Sequence, residues 1–208
     1  MTRNRLFALI AGAVLIGASA FSLWNHSRQV GSPFSETSLT ATSLANAGIA
    51  PGAKAPVGLA LQDSAGNETT LAELMGENGL VLLLTRSAGW CPYCKAQLIQ
   101  TIEIEDDVAQ RGYALASLSY DEPEVLAGFK ADQDIGFAML SDPHSAMIDA
   151  LGLRDPQYGP ESKAYGVPRA AILVLATDGT VMARHVSEDY RLQPQNEEVL
   201  AMIDGAAN

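Results

Sequence analysis

The sequence predicts an α/β protein in which a central mixed β-sheet is flanked by helices. Apolar, strand-like runs alternate with segments of helical periodicity, which indicates parallel strands connected by helices. The run Leu80–Leu84 is apolar at every position, as expected of a strand buried on both faces. The last two strand-like runs, Ala170–Ala176 and Val181–Arg184, flank a tight turn and predict an antiparallel hairpin. Both kinds of strand pairing are therefore expected in one sheet.

The first half of the domain is predicted to contain a hairpin, two strands and one helix. A polar turn separates Val57–Leu61 from Glu68–Thr70, which predicts an amino-terminal β-hairpin. After the buried strand, a helical pattern runs from Pro92 to about Gln110, and proline suits its first position because it has no N–H group to leave unpaired. Tyr113–Ser119 is the next predicted strand.

The second half is predicted to add two more helices before the closing hairpin and one after it. Pro123 opens a helix that continues through Phe129, and Phe137–Leu140 predicts a short strand. Asp142 and Pro143 then introduce a helix that ends at Gly152. After the hairpin, the segment Glu197–Ile203 predicts a last helix.

The only two cysteines of the chain form a Cys91-Pro92-Tyr93-Cys94 motif directly after the buried strand. Cys91 lies where the helix begins, so its sulfur faces unpaired backbone N–H groups and the positive end of the helix dipole. Both favour thiolate over thiol, which lowers the pKa of Cys91 and makes it nucleophilic near neutral pH. Cys94 follows one turn later and is placed to close a disulfide. The motif therefore predicts a redox-active dithiol.

Three other interpretations of the cysteine pair are less favoured. A structural disulfide across so short a loop restrains the unfolded chain little. A zinc site needs two more ligands, and the three histidines do not have the spacing of a ligand pair. Haem attachment requires histidine after the second cysteine, where Lys95 stands. We therefore predict neither a metal site nor a cofactor.

Residues 1–24 predict a signal peptide or a membrane anchor. Arg3 and Arg5 precede the uncharged stretch Leu6–Trp24, which contains the small-residue cleavage site Ala18-Ser19-Ala20. The stretch is also nearly long enough to span a bilayer, so cleavage and retention remain equally open. Both alternatives place the rest of the chain in the periplasm, soluble or tethered to the inner membrane. There the dithiol tends to be oxidised unless a membrane or periplasmic redox partner reduces it.

The rest of the chain is predicted to be a linker followed by one domain. Residues 25–56 are rich in Ser, Thr, Ala and Gly without apolar periodicity, which favours a flexible linker. Residues 57–208 are numerous enough for one domain with a complete core. The formal net charge of the chain is −11, so a nucleic-acid partner is not expected.

Four separated sequence blocks carry a resemblance to a known family. They are Arg86–Leu98 (RSAGWCPYCKAQL), Leu118–Asp121 (LSYD), Leu140–Pro143 (LSDP) and Gly166–Arg169 (GVPR). With the predicted element order, they resemble the thioredoxin fold, and more specifically the alkyl hydroperoxide reductase/thiol-specific antioxidant (AhpC/TSA) family of peroxiredoxin-like redoxins. The resemblance covers roughly residues 52–204. It implies an antioxidant oxidoreductase with a thioredoxin-like fold.

The resemblance also implies roles for individual residues. Pro168 takes the place of the cis-proline that lies against the dithiol in this fold, and Arg169 matches the arginine that supports the thiolate and binds peroxide oxygens. Trp90 is predicted to form an apolar rim for a docking polypeptide. The substrate-binding surface is accordingly predicted to consist of Trp90, Pro92, Tyr93, Val167 and Pro168.

The chain departs from the peroxiredoxin pattern at two positions. Aligned on Cys94, the family's proline and threonine are replaced by Ser87 and Cys91. These replacements favour a thiol-disulfide oxidoreductase in which Cys91 attacks and Cys94 resolves the mixed disulfide. Its partners would be protein or small-molecule thiols and disulfides.

Two alternative functions remain. In a thiol peroxidase, peroxide would oxidise Cys94 to sulfenic acid and Cys91 would resolve it. In a copper-binding assembly chaperone, the two cysteines and a distant histidine, His185, would hold copper, although such proteins separate their cysteines by three residues. The direction of electron flow and the oligomeric state are not readable from the sequence.

Overall fold

The computed structural model describes residues 44–207, and these lie within one compact unit of the chain. The predicted signal or anchor segment, residues 1–24, lies outside the described residues, as does the predicted linker up to residue 43. Within the described part of the chain, no helix combines the length and the apolar character needed to cross a bilayer.

One seven-stranded mixed sheet forms the centre of the structure, which confirms the predicted fold class. The spatial order of its strands is β2-β1-β5-β4-β3-β6-β7. Strands β3, β4 and β5 are parallel, whereas β1, β2, β6 and β7 run antiparallel to their neighbours. The strands are β1 (Leu61–Asp63), β2 (Glu68–Thr69), β3 (Gly79–Leu84), β4 (Tyr113–Ser119), β5 (Ala138–Ser141), β6 (Ala171–Leu175) and β7 (Val181–Val186).

Five α-helices and one 3-10 turn accompany the sheet in the described residues. Each face of the sheet carries its own apolar core. Leu82 of β3 belongs to one core, which also contains Met147 and Ile148, and Val81 belongs to the other, with Leu98 and Ile203. The helices are α1 (Pro92–Ile102), α2 (Glu105–Gln110), α3 (Pro123–Asp132), α4 (Ala146–Ala150) and α5 (Asn196–Ala206), and the 3-10 turn is Ala72–Leu74.

Strand β3 is the central strand, as its uninterrupted apolar sequence predicts. All six of its residues are buried. Leu82 pairs with Ala116 of parallel β4 on one side and with Leu173 of antiparallel β6 on the other. Because both edges and both faces are occupied, every position of the strand must be apolar.

The predicted helix from Pro92 to Gln110 is in fact two helices. The chain leaves helical geometry at Ile104, which precedes the second helix. The Ile104 side chain is buried in the core that also contains Val81 and Leu98. Glu105, Asp106 and Asp107 then occupy the first turn of α2. Three consecutive carboxylates are favourable at a helix amino terminus because of the helix dipole, so the local sequence suits a new helix there.

Two other boundaries also differ from the predictions. The first strand of the hairpin is Leu61–Asp63 rather than Val57–Leu61. Residues 44–56, assigned to the linker by composition, pack against the domain, where Leu44 N donates to Val186 O (2.8 Å) and Ala55 is buried. Arg184 also donates to backbone carbonyls between residues 45 and 49. The predicted boundary at residue 56 is therefore too late, because these tertiary hydrogen bonds leave no periodic pattern in the sequence.

Gly79 gives a direct test of the β3–β6 pairing. Its φ is +137°, and a Cβ atom added there would lie 1.8 Å from the carbonyl oxygen of Leu175. Gly79→Ala should lower the free energy of unfolding by about 2 kcal/mol or more, because the new methyl group forces the paired backbones apart. Urea unfolding measures the change.

Gly128→Ala is the matched control for this substitution. Gly128 lies in α3, and a Cβ atom there meets nothing within 4 Å. Alanine in a helix should be neutral or stabilise the protein by up to about 1 kcal/mol. Equal unfolding free energies for the two variants would contradict the described contact between β3 and β6.

Candidate functional site

The dithiol lies at the amino terminus of α1, after the carboxyl end of β3. Cys91 is the N-cap residue, with extended backbone angles, and Pro92 is the first helical residue. The backbone N–H of Cys94 donates to Cys91 Sγ at 3.2 Å. A backbone donor and the helix dipole therefore act on the Cys91 sulfur, and both favour its thiolate once the pair is reduced.

The two cysteines form a disulfide, with their Cα atoms 5.3 Å apart. Both are almost fully buried, so the sulfurs are reached only past the side chains around them. Of these residues, Trp90 is 49% exposed and Tyr93 is 38% exposed. Pro92, between them in the sequence, is exposed as well, so three exposed side chains lie around the buried disulfide.

A buried carboxylate holds the loop that leads to the dithiol. Asp121, just after β4, accepts hydrogen bonds from Ser87 Oγ (2.7 Å), Ala88 N (2.7 Å) and Ser119 Oγ (2.9 Å). Ser87 Oγ in turn accepts from the backbone N–H groups of Gly89 and Trp90. The loop before Cys91 is thus fixed to the end of the neighbouring strand. The motif around Asp121 was visible in the sequence, but its contacts with Ser87 were not.

Arg86 lies in an aromatic cage beside the same loop. Only 1% of its surface is exposed. Its Cζ atom lies 3.9 Å from the ring centroid of Tyr190, 5.1 Å from that of Tyr158 and 5.5 Å from that of Trp90. Its Nη2 donates to the Tyr158 hydroxyl at 2.5 Å. Cation–π contacts therefore replace the carboxylate that usually accompanies a buried guanidinium.

A polar cavity of about 280 Å³ opens beside Arg86 and also contains Arg169. The β3–β6 pairing ends at Leu84 and Ala171, and Arg86 and Arg169 each lie two residues beyond this last pair. Neither cysteine contributes to the cavity lining. The lining residues are Arg86, Asp155, Gln157, Arg169, Ala170, Ser187, Glu188, Asp189, Tyr190 and Arg191.

Aromatic contacts connect the cavity with the rim of the dithiol. The ring of Tyr190, on the cavity, meets that of Tyr93 edge to face with 6.0 Å between centroids. Trp90 Nε1 donates to the hydroxyl of Tyr120 at 3.0 Å. Burial raises the pKa of Tyr120, and the hydrogen bond from Trp90 only partly offsets this, so the hydroxyl remains neutral. Trp90 therefore has a fixed orientation despite its exposure.

The structure contradicts one expectation about the Val167-Pro168 segment. The described residues contain no cis peptide bond, so the bond before Pro168 is trans. Both residues are also buried, as are the two cysteines, so they do not belong to the exposed surface around the dithiol. The reason is backbone pairing with another segment, since Asp155 N donates to Val167 O (2.9 Å) and Arg169 N donates to Leu153 O (2.7 Å). An extended trans chain satisfies both hydrogen bonds.

Nothing in the sequence indicated two aromatic residues that contact Arg86. Tyr158 and Tyr190 lie in loops without regular secondary structure, so no periodic pattern singled them out. Conversely, the sequence suggested His185 as a copper ligand, and the structure does not support that role. Among the described residues, no group of three His, Cys, Asp or Glu side chains could hold a metal ion, so His185 does not complete a site with the cysteines.

Comparison with known proteins identifies the family. Residues 51–184 match the model of the AhpC/TSA family. Peroxiredoxin Bcp of Escherichia coli K12 is 26% identical over 144 residues, covering 67% of this chain and 86% of the relative. A Mycobacterium tuberculosis H37Rv protein named as a peroxiredoxin, Rv2521, is 29% identical over 137 residues, covering 66% and 85%.

Solved structures of similar proteins agree with the fold. Peroxidoxin BcpB of Mycobacterium tuberculosis superposes with a TM-score of 0.64 at 19% identity, over 74% of this chain and 96% of that chain. Reduced Prx3 of Vibrio vulnificus in complex with hydrogen peroxide gives 0.64 at 21% identity, over 74% and 99%. The fold is thus the thioredoxin-like fold of peroxiredoxins, as the sequence blocks imply.

The family match spans more than half of the chain and includes the whole stretch from β3 to β6, which contains the dithiol. It agrees with the position of the cysteines at the start of α1. The protein belongs to the AhpC/TSA family and is a thiol-dependent oxidoreductase with a thioredoxin-like fold.

Proposed function

We propose that the protein is a thiol peroxidase that reduces hydroperoxides through Cys94 and Cys91. This reverses the order of the two enzymatic functions favoured by the sequence motif alone. Family membership and relatives named as peroxiredoxins support the peroxidase. The replacement of the family's threonine by Cys91 does not remove the nucleophile, because Cys94 keeps the peroxidatic position in the alignment.

The observation that carries this proposal is a pair of guanidinium groups in one cavity, one of which contacts the dithiol loop. Arg86 and Arg169 share one cavity, and Arg86 contacts Trp90, the neighbour of Cys91. When a peroxide O–O bond breaks, negative charge develops on the leaving oxygen. Preorganised cationic donors in a partly buried site stabilise this charge and so lower the barrier.

The proposed cycle uses both cysteines. The Cys94 thiolate attacks one peroxide oxygen, the O–O bond breaks, and the leaving oxygen takes a proton, so Cys94 becomes a sulfenic acid. The Cys91 thiolate then attacks the Cys94 sulfur, the S–S bond forms as the S–O bond breaks, and the sulfenic oxygen leaves as hydroxide, which takes a proton to become water. The product is the Cys91–Cys94 disulfide seen in the structure. Two thiol equivalents from a reductant restore the dithiol.

Thiol-disulfide exchange through Cys91 is the second candidate function. The hydrogen bond from Cys94 N–H to Cys91 Sγ favours it, because this contact stabilises the thiolate of Cys91 rather than that of Cys94. The exposed Trp90 and Tyr93 side chains also provide an apolar surface on which a protein substrate can dock.

The two functions are distinguished by the rates at which hydrogen peroxide and a protein disulfide, added in separate experiments, oxidise the reduced domain. For a peroxidase, peroxide should oxidise the wild type faster, and Cys91→Ser should accumulate a sulfenic acid at Cys94 that dimedone labels. Mass spectrometry locates the label, and the double variant Cys91→Ser/Cys94→Ser measures the background.

The opposite pattern would replace the peroxidase with the exchange reaction. It consists of slow oxidation by peroxide, fast reaction with the protein disulfide, and a mixed disulfide trapped on Cys91 in Cys94→Ser. Faster alkylation of Cys91 than of Cys94 at pH 6 in the reduced wild type would support the same conclusion.

The hydrogen bonds to Asp121 give a prediction for either reaction. Asp121→Ala leaves Ser87, Ala88 and Ser119 without their acceptor, so it should lower the free energy of unfolding by about 3 kcal/mol. Release of the loop should also raise the pKa of the attacking cysteine, which the pH dependence of its alkylation rate reports.

Asp132→Ala provides the comparison for Asp121→Ala. Asp132 is the exposed last residue of α3, so its removal should leave both the stability and the alkylation profile unchanged. A normal alkylation profile in Asp121→Ala would show that the carboxylate stabilises the fold without positioning the dithiol.

We also propose that the domain acts in the periplasm. Arg3 and Arg5 before the apolar stretch support export with the carboxyl terminus outside the inner membrane. A reporter enzyme that is active only in the periplasm, fused after Asn208, should be active. An inactive periplasmic reporter alongside an active cytoplasmic one would overturn this assignment.

A further inference from the structure

The guanidinium of Arg86 has unused hydrogen-bonding capacity. Its Nε and Nη1 atoms, which carry three of the five N–H donors of a guanidinium, are buried and have no hydrogen-bond partner among the described residues. No carboxylate in that part of the chain forms an ion pair with it. Buried, unpaired donors are costly and uncommon in native proteins. Only an anionic group that enters the aromatic cage would satisfy these donors, because solvent does not reach the two nitrogen atoms in this structure.

The cavity beside Arg86 combines groups of both charges. Arg191 forms an ion pair with Asp189, in which Arg191 Nη2 lies 2.6 Å from Asp189 Oδ2, so these two charges balance each other. The remaining charged lining consists of the cations Arg86 and Arg169 and the carboxylates of Asp155 and Glu188. A ligand that carries a carboxylate and an ammonium group complements this lining better than a simple anion does.

The position of the cavity indicates what such a ligand does. Tyr190 contacts both Arg86 in the cavity and Tyr93, which lies between the two cysteines in the sequence. A small molecule held at Arg86 therefore lies next to the rim of the dithiol. The volume of about 280 Å³ suits a molecule the size of an amino acid or slightly larger.

We infer that this cavity binds the amino-acid end of a low-molecular-weight thiol that reduces the Cys91–Cys94 disulfide, with Arg86 holding its carboxylate. The inference rests on the catalytic cycle proposed above, which needs a reductant in each turnover. Planar guanidinium and carboxylate groups form directional, charge-assisted hydrogen bonds, so Arg86 fixes the ligand's orientation as well as its position.

The reduction consumes two molecules of the thiol. The thiolate of the first attacks one sulfur of the protein disulfide, which forms a mixed disulfide and releases the other cysteine as a thiolate that takes a proton. The second thiolate attacks the ligand sulfur of the mixed disulfide. The small-molecule disulfide leaves, the second cysteine is protonated, and the protein has gained two electrons and two protons.

L-Cysteine and cysteamine test the role of the carboxylate, because they share a thiol and an ammonium group and differ by the carboxylate. The measurement is the rate at which each reduces the oxidised protein, divided by its rate with a small reference disulfide. The wild type should prefer L-cysteine. Arg86→Gln should lower the rate of reduction by L-cysteine about tenfold, which is the effect of a lost charge-assisted hydrogen bond. The rate of reduction by cysteamine should change by less than about twofold.

Arg111→Gln is the matched control variant. It removes the same charge from an arginine that is paired with Asp204 and lies outside the cavity lining. Its ratio of L-cysteine to cysteamine rates should equal that of the wild type. An equal change in this ratio in both variants would show that only the overall charge of the protein matters.

An inhibition experiment keeps the test valid if Arg86→Gln does not fold. L-Serine carries the same amino-acid end without a thiol, and ethanolamine is its counterpart without the carboxylate. L-Serine should competitively slow the reduction of the wild type by L-cysteine, whereas ethanolamine should have no effect. Absence of inhibition by L-serine, or no preference of the wild type for L-cysteine, would overturn the inference.

The outcomes also separate this inference from the proposed peroxidase function. Reduction of the disulfide is measured without peroxide, so a protein that fails to reduce peroxide can still show the cysteine preference. Conversely, rapid peroxide turnover with a protein reductant, together with uniformly slow reaction with both small thiols, would reject the binding site and leave the peroxidase intact.

Discussion

The pairing of β3 with two different neighbours is the constraint on which the rest of the site depends. Parallel pairing with β4 brings the end of β4, and with it Asp121, beside the loop that precedes Cys91. Antiparallel pairing with β6 ends two residues from Arg86 and from Arg169, which line the same cavity. A shift of register by one residue would turn the side chains of β3 to the wrong faces and separate these groups. The close approach of Gly79 to Leu175 O shows how tightly the register is set.

Two kinds of electrostatic stabilisation meet at the dithiol. On one side, the helix amino terminus and the Cys94 N–H group act directly on the sulfur of Cys91. On the other, Arg86 contacts Trp90 of the dithiol loop and shares with Arg169 a cavity that neither cysteine lines. In the functions proposed above, the helix terminus favours a nucleophilic thiol and the guanidinium groups bind the substrate or the reductant. The aromatic cage around Arg86 makes its burial tolerable without a carboxylate partner.

The replacement of the family's threonine by Cys91 combines two chemistries in one helix turn. In the proposed cycle, the residue that resolves the sulfenic acid is already adjacent to it, since the Cα atoms of Cys91 and Cys94 lie 5.3 Å apart. Disulfide formation therefore needs no large rearrangement to bring the sulfurs together. The same proximity gives the pair the geometry of a thiol-disulfide exchanger, so the identity of the first attacking thiol decides which reaction dominates.

The sequence by itself determined the features that local patterns encode. The apolar run of β3 predicts its burial, and Pro92 after Cys91 predicts the helix start, because each depends on residues close together in the chain. Only the tertiary structure showed that Arg86 is buried with unpaired donors, that it contacts Tyr158, 72 residues away, and that Pro168 is buried in a trans segment. These features depend on contacts between distant loops and strand ends, and such contacts leave no periodic signal in a single sequence.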